Sequence, residues 1–180
     1  PMQFLRDLRR DRESAHRLLD YVGNFLAAFA QVLAESGAAV VCIGDPTATG
    51  EILGPKMFEE YAVPHLNQVL NGIHACRVPA IVHICGKLEQ VRHLLPRLAA
   101  DAISTDALVN LKQLKAEYPQ LTTMGNVSTY LLEFGSAEKI ARQAQHLVRD
   151  GVDIIAPACG LSTSTALDSI RAMTAAVKDR

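Results

Sequence analysis

His83, Cys85 and Cys159 are the residues of this chain whose types and spacing best suit joint chemistry. Two of them close one apolar run, Val78-Pro79-Ala80-Ile81-Val82-His83-Ile84-Cys85-Gly86. The third closes another, Val152-Asp153-Ile154-Ile155-Ala156-Pro157-Ala158-Cys159-Gly160. Such runs read as buried parallel strands, which puts all three side chains at strand carboxyl ends. An imidazole and two thiols make a soft ligand set of the kind that holds zinc, with a fourth position left open for chemistry. Two thiolates leave that metal electron-rich, better suited to holding an incoming thiol as thiolate than to polarising a carbonyl strongly. His83 and Cys85 stand two residues apart and share a strand face, while Ile84 points to the other. The competing reading is a packed histidine with two inert thiols.

Other polar residues close neighbouring apolar runs. Asp45 and Asp106 could orient His83 or complete a ligand set, or they could do no more than start turns, as Asp-Pro commonly does. Asn126, after Gly125, could hydrogen-bond a substrate or order its loop. Glu51 is a weaker candidate of the same kind as the two aspartates. The segment Gly160 to Thr165 precedes a helix whose amides could hold an anion, although capping explains its Ser and Thr content equally well. Cys42 and Cys76 read as small buried apolar residues. His16, His65, His93 and His146 read as surface or helix-packing positions, and His74 as a loop residue.

The elements that must place these groups alternate. Residues 2–35 read as helix, divided near Asp11 and stopped by Gly37, and a buried strand runs from Ala38 to Asp45. A helix from about Pro55 carries Phe58, Tyr61, Leu66, Val69, Leu70 and Ile73 inward, with a kink expected at Pro64. After the strand ending at Cys85 come a helix from Lys87 to Ala99 and a strand from Ala102 to Asp106. A short helix from Leu111 to Tyr118 and a strand from Leu121 to Asn126 follow. Ser136 is expected to cap the next helix, which Gly151 ends. The strand to Cys159 precedes a last helix from Thr165, with Asp168 completing a capping box.

Five strands, helical connections and no hairpin signal imply an α/β architecture with right-handed crossovers. No glycine-rich phosphate turn announces a doubly wound sheet. Chemistry at the ends of successive strands is instead the mark of a (β/α)8 barrel of the TIM type. A barrel of that kind needs roughly 250 residues, so this chain reads as its C-terminal five strand-helix units.

Composition bounds the function. At 180 residues, 49% hydrophobic and 21% charged, with a formal charge of −1, the chain reads as one globular domain over residues 1–180. Scattered basic residues argue against a nucleic-acid surface. No apolar run is long enough for a membrane span, and no signal-peptide pattern is present. Four cysteines without a compact framework suit a reducing, cytoplasmic setting. Pro1 opens the sequence without a methionine, so a processed product or a piece of a longer protein is expected.

The segment Gly44-Asp45-Pro46-Thr47-Ala48-Thr49-Gly50-Glu51-Ile52-Leu53-Gly54-Pro55-Lys56 resembles the fourth strand-loop of the uroporphyrinogen decarboxylase superfamily. Val82-His83-Ile84-Cys85-Gly86, Ile103-Ser104-Thr105-Asp106, Met124-Gly125-Asn126-Val127-Ser128 and Ile155-Ala156-Pro157-Ala158-Cys159-Gly160 narrow the resemblance. They are similar to its zinc-dependent branch, the methylcobamide:coenzyme M methyltransferases and related corrinoid enzymes. The resemblance implies that His83, Cys85 and Cys159 bind zinc. It also implies that a small thiol such as coenzyme M attacks the methyl carbon of a methylated corrinoid, leaving cobalt as Co(I). A separate corrinoid carrier protein is the implied partner, since no Asp-x-His-x-x-Gly signature occurs here. A homo-oligomer is a further expectation. Two alternatives stand beside this reading: a metal-free uroporphyrinogen decarboxylase-like enzyme, and an inactive barrel fragment that persists only with a partner.

Overall fold

The structure, a computed structural model, describes residues 2–178. Helices α1 (Met2–Arg10) and α2 (Arg12–Glu35) divide at Asp11, whose carboxylate accepts a hydrogen bond from the Ser14 amide at 3.1 Å. That bond satisfies one of the free amides of the first turn of α2. Strand β1 (Val41–Asp45) is shorter than its apolar run and sits at a sheet edge, so Cys42 is exposed rather than buried. A continuous helical stretch follows: α3 (Gly54–Met57), a π turn (Phe58–Ala62) and α4 (Val63–Ala75). The irregularity expected at Pro64 lies just before it, as the π turn. Proline has no amide hydrogen to return to the preceding turn, and that turn widens.

The remaining elements are β2 (Ala80–Ile84), a 3-10 turn (Arg92–Arg97), β3 (Ala102–Thr105), α5 (Leu111–Glu117) and β4 (Thr123–Val127). Then come α6 (Thr129–Phe134), α7 (Ala137–Arg149), β5 (Ile154–Pro157) and α8 (Leu167–Lys178). Several expectations need correction. The helix foreseen from Lys87 to Ala99 is only the 3-10 turn, with Pro96 inside it removing a donor. An unforeseen α6 precedes α7, capped by Ser128 Oγ accepting from the Leu131 amide at 3.3 Å. Ser136 stands at the start of α7 but makes no side-chain capping bond. Helix α8 begins at Leu167, Thr165 Oγ1 has no partner, and Asp168 pairs with Arg171 at 2.9 Å, so no capping box forms.

All five strands are parallel and lie in sequential order, β1-β2-β3-β4-β5. A doubly wound sheet reverses its strand order part-way, whereas barrel winding advances in one direction. The two sheet faces also differ. Ala80, Val82 and Ile84 are buried beneath the helices, whereas Ile81 and His83 on the opposite face are only partly covered. A one-way parallel sheet with helices on one face is the α/β architecture of a partial TIM barrel.

The core joins strand residues Val82, Ile84, Ile103 and Val127 to helix residues Phe58, Leu70, Ile73, Leu132 and Ile140. Burying each of these large side chains contributes roughly 1.5–3 kcal/mol. Helices α2 and α4 approach closely, because Gly72 faces Ala27: a Cβ added at Gly72 would lie 2.5 Å from the Ala27 Cβ. The opposite side of α2 leaves the apolar residues Tyr21, Phe25, Phe29 and Val32 exposed. We therefore expect Gly72→Ala to destabilise the fold by about 1–3 kcal/mol through overpacking. Urea unfolding reads this directly, and an unchanged midpoint would mean that α2 and α4 can part without cost.

Candidate metal centre

Parallel register sets His83 beside Ser104 of β3 and opposite Gly44 of β1. Cys85 follows β2 by one residue, and Cys159 follows β5 by two. Gly86, at φ +73°, lets the chain turn directly after Cys85. An added Cβ there would press to 3.3 Å from Thr49 Cγ2, which leaves little room for any larger residue.

The three side chains converge. Cys85 Sγ is 3.3 Å from His83 Nε2 and 3.6 Å from Cys159 Sγ. One ligand atom from each lies within 4.8 Å of the others, and no other such group of three occurs among the described residues. His83 Nδ1 stands 3.0 Å from Ser104 Oγ. Donation from Nδ1 to that hydroxyl selects the tautomer whose Nε2 lone pair faces the thiols. Ser104 was missed by sequence reasoning; its one signal is that it pairs in register with His83.

Electrostatics favours a cation here. Burial pushes the Cys85 thiol up to about 11, helped by its hydrogen bond and charge repulsion with Cys159 and by the charges of Asp106 and Asp45. Burial lowers the His83 pKa, only partly offset by Asp106, so the imidazole keeps its lone pair. A crowded Cys85 thiol and a neutral imidazole, with carboxylate charge nearby, reach their ligand state more readily beside a positive charge. This donor set fits zinc.

The other predicted residues divide. Asp45 Oδ1 accepts from the amides of Thr47 and Ala48, each at 3.0 Å, and from Thr47 Oγ1 at 2.9 Å, an Asx turn at the end of β1. Asp106 Oδ1 accepts from the Leu108 amide at 3.0 Å. Both aspartates therefore order loops while their charge reaches Cys85. Asn126 is buried, and its Nδ2 donates to the carbonyls of Asp106 and Val109, each at 2.8 Å. Its two amide hydrogens are thus spent on the loop that carries Asp106. Glu51 is exposed and pairs with Lys87 at 3.6 Å. In the Gly160–Thr165 loop, Ser164 Oγ bonds the Glu133 carboxylate, which sets a negative charge where an anion was considered.

The family model described as "Uroporphyrinogen decarboxylase (URO-D)" matches residues 1–180. Among curated relatives, a methylcobamide:CoM methyltransferase MtbA of Methanosarcina acetivorans is 27% identical over 90% of this chain and 48% of its own length. An MtaA enzyme of Methanosarcina barkeri strain Fusaro is also 27% identical, over 88% of this chain and 47% of that one. A chloroplastic uroporphyrinogen decarboxylase of Nicotiana tabacum is 30% identical over 74% of this chain and 34% of that one. The chain spans about half the length of the methyltransferase relatives it matches. The solved structure of a methyltransferase from Methanosarcina mazei superposes with a TM-score of 0.90 at 24% identity, covering 96% of this chain and 51% of that one. That likeness fixes the fold alone. No helix among the described residues is long and apolar enough to cross a membrane.

The raised Cys85 pKa has a direct consequence. In the metal-free, reduced chain at pH 8, Cys85 should alkylate with iodoacetamide on the order of a hundredfold more slowly than an unperturbed thiol. The rate should climb as pH approaches 11. Peptide mass spectrometry across a pH series checks this, and ordinary reactivity at pH 8 would contradict it.

Proposed function

The chain belongs to the uroporphyrinogen decarboxylase family, and on that premise we propose that it is the C-terminal part of the barrel of a zinc-dependent methyltransferase. It moves a methyl group from a methylated corrinoid to a small thiol of the coenzyme M kind. The single observation that carries this reading is the convergence of His83 Nε2, Cys85 Sγ and Cys159 Sγ within 4.8 Å. Relatives named as methylcobamide:CoM methyltransferases support it.

His83, Cys85 and Cys159 would hold the zinc, and Ser104 keeps the imidazole in the tautomer that could ligate it. Zinc bound there would supply a Lewis acid that favours the thiolate form of a small thiol near neutral pH. An S–C bond to the methyl carbon then forms as the Co–C bond breaks, its electron pair leaving on cobalt as Co(I). Asp45, Asp106 and Asn126 act in this scheme by shaping the strand-end loops. Asn126 fixes the Asp106 loop, and the two carboxylates bias the thiol cluster toward cation binding. Alignment of the reacting atoms and exclusion of water are the protein's remaining contributions. The corrinoid arrives on a separate carrier protein. The reducing cytoplasm suits two ligand thiols that must stay unbonded.

A second reading, a metal-free decarboxylase-like enzyme, draws on the decarboxylase relatives, the tobacco enzyme among them. Zinc content separates the two. We expect about one zinc per chain, lost in Cys159→Ser and His83→Ala. Ser104→Ala should keep the zinc but bind it about 10–100-fold more weakly. Only the zinc-loaded parent should demethylate methylcobalamin with a thiol present. A folded, reduced chain that takes up no zinc would move the decarboxylase-like reading to the front.

A further inference from the structure

The two thiols of the metal centre are placed for a second chemistry. Cys85 Sγ and Cys159 Sγ stand 3.6 Å apart although 74 residues separate them in sequence. At a zinc ion with Zn–S bonds of about 2.3 Å, tetrahedral geometry puts two sulfurs roughly 3.8 Å apart. A disulfide needs about 2.05 Å. The pair therefore sits at metal-ligating distance, and a further approach of roughly 1.5 Å would bond it.

The surroundings allow that approach on one side. Cys85 lies one residue beyond β2 and Cys159 two beyond β5, so both are outside the strands proper. A glycine follows each, Gly86 and Gly160. Gly86 is pressed on Thr49, whereas nothing lies within 4 Å of a Cβ added at Gly160, so the Cys159 side has room to move. Cys159 is also exposed, while Cys85 is half-buried, and an oxidant in solution meets Cys159 first. The other two cysteines are placed differently. Cys76 Sγ donates to the Gly72 carbonyl at 3.5 Å, and Cys42 stands on the edge strand β1.

We propose that Cys85 and Cys159 form a reversible disulfide under peroxide, which makes the metal centre a redox switch: reduced, it takes zinc, and oxidised, it excludes it. The switch rests on the zinc reading of this site, whereas the bond rests on the sulfur spacing alone. The Cys159 sulfur attacks hydrogen peroxide; an S–O bond forms, the O–O bond breaks, and one water leaves a sulfenic acid behind. The Cys85 sulfur then attacks the Cys159 sulfur. An S–S bond forms as the S–O bond breaks, and the hydroxyl departs with the Cys85 proton as a second water. Two thiols lose two electrons and one peroxide gains them. Contact distance makes the second step unimolecular. Two molecules of a small thiol reverse the bond by exchange and leave as their own disulfide. Once bonded, neither sulfur is a thiolate, and His83 alone remains of the three ligands.

Hydrogen peroxide added to the reduced, metal-free full chain, followed by non-reducing peptide mass spectrometry, tests this. The expected product is a Cys85–Cys159 linked peptide pair two hydrogens lighter than its parts, formed at a rate independent of chain concentration. Cys42→Ser should form it equally fast. The oxidised chain should take up zinc about tenfold less than the reduced chain, and dithiothreitol should restore uptake. Zinc loaded beforehand should slow the linkage about tenfold, since both thiolates are then held by the metal. A reduced chain that binds zinc but yields only overoxidised sulfurs, or links to Cys42, Cys76 or a second chain, would overturn the switch and leave the zinc reading standing. A Cys85–Cys159 bond in a chain that takes up no zinc when reduced would overturn both.

Discussion

Curvature of the parallel sheet is the constraint on which the rest of this structure depends. Strands β2 and β5 are three places apart, and in a flat sheet they would run roughly 14 Å from one another. Their terminal cysteines nevertheless bring sulfur atoms to 3.6 Å. Only a sheet that curls as a barrel wall does can close that gap, and one-way strand order supplies the curl. The helices reinforce it by covering a single face, where Val82, Ile84, Ile103 and Val127 are buried. The opposite face is left for His83 and its neighbours.

Within that frame the chemistry rests on a balance of charge. Burial and the neighbouring Cys159 sulfur make Cys85 resist ionising, and the charges of Asp106 and Asp45 deepen the resistance. The imidazole, desolvated and hydrogen-bonded to Ser104, stays neutral with its second nitrogen free. A divalent cation resolves both conditions, turning unfavourable proximity into ligation. The loop network of Asp45, Asp106 and Asn126 is structural in its visible bonds and electrostatic in its reach.

Much of this was legible in the residues. Strand positions followed from apolar runs, the shared face of His83 and Cys85 from two-residue periodicity, and barrel winding from polar groups ending successive strands. Asp11 divided the first two helices as its side-chain chemistry requires. The misses have common physical causes. Pro96 broke a helix that periodicity favoured, and short α6 depended on a Ser128 cap that no long apolar pattern announced. Ser104 depends on register across a long sequence separation, which spacing along the chain does not encode. The exposed stripe on α2 shows the reverse failure: helical periodicity marks an apolar face but not what covers it.

X-ray absorption at the zinc edge tests the central claim most directly. The zinc-loaded chain should show two sulfur ligands and one nitrogen from the protein, completed by one oxygen. Adding coenzyme M should replace the oxygen with a third sulfur, and Cys159→Ser, which holds no zinc, should show neither spectrum. A first shell without sulfur, or one that does not change when the thiol is added, would contradict thiol activation at His83, Cys85 and Cys159.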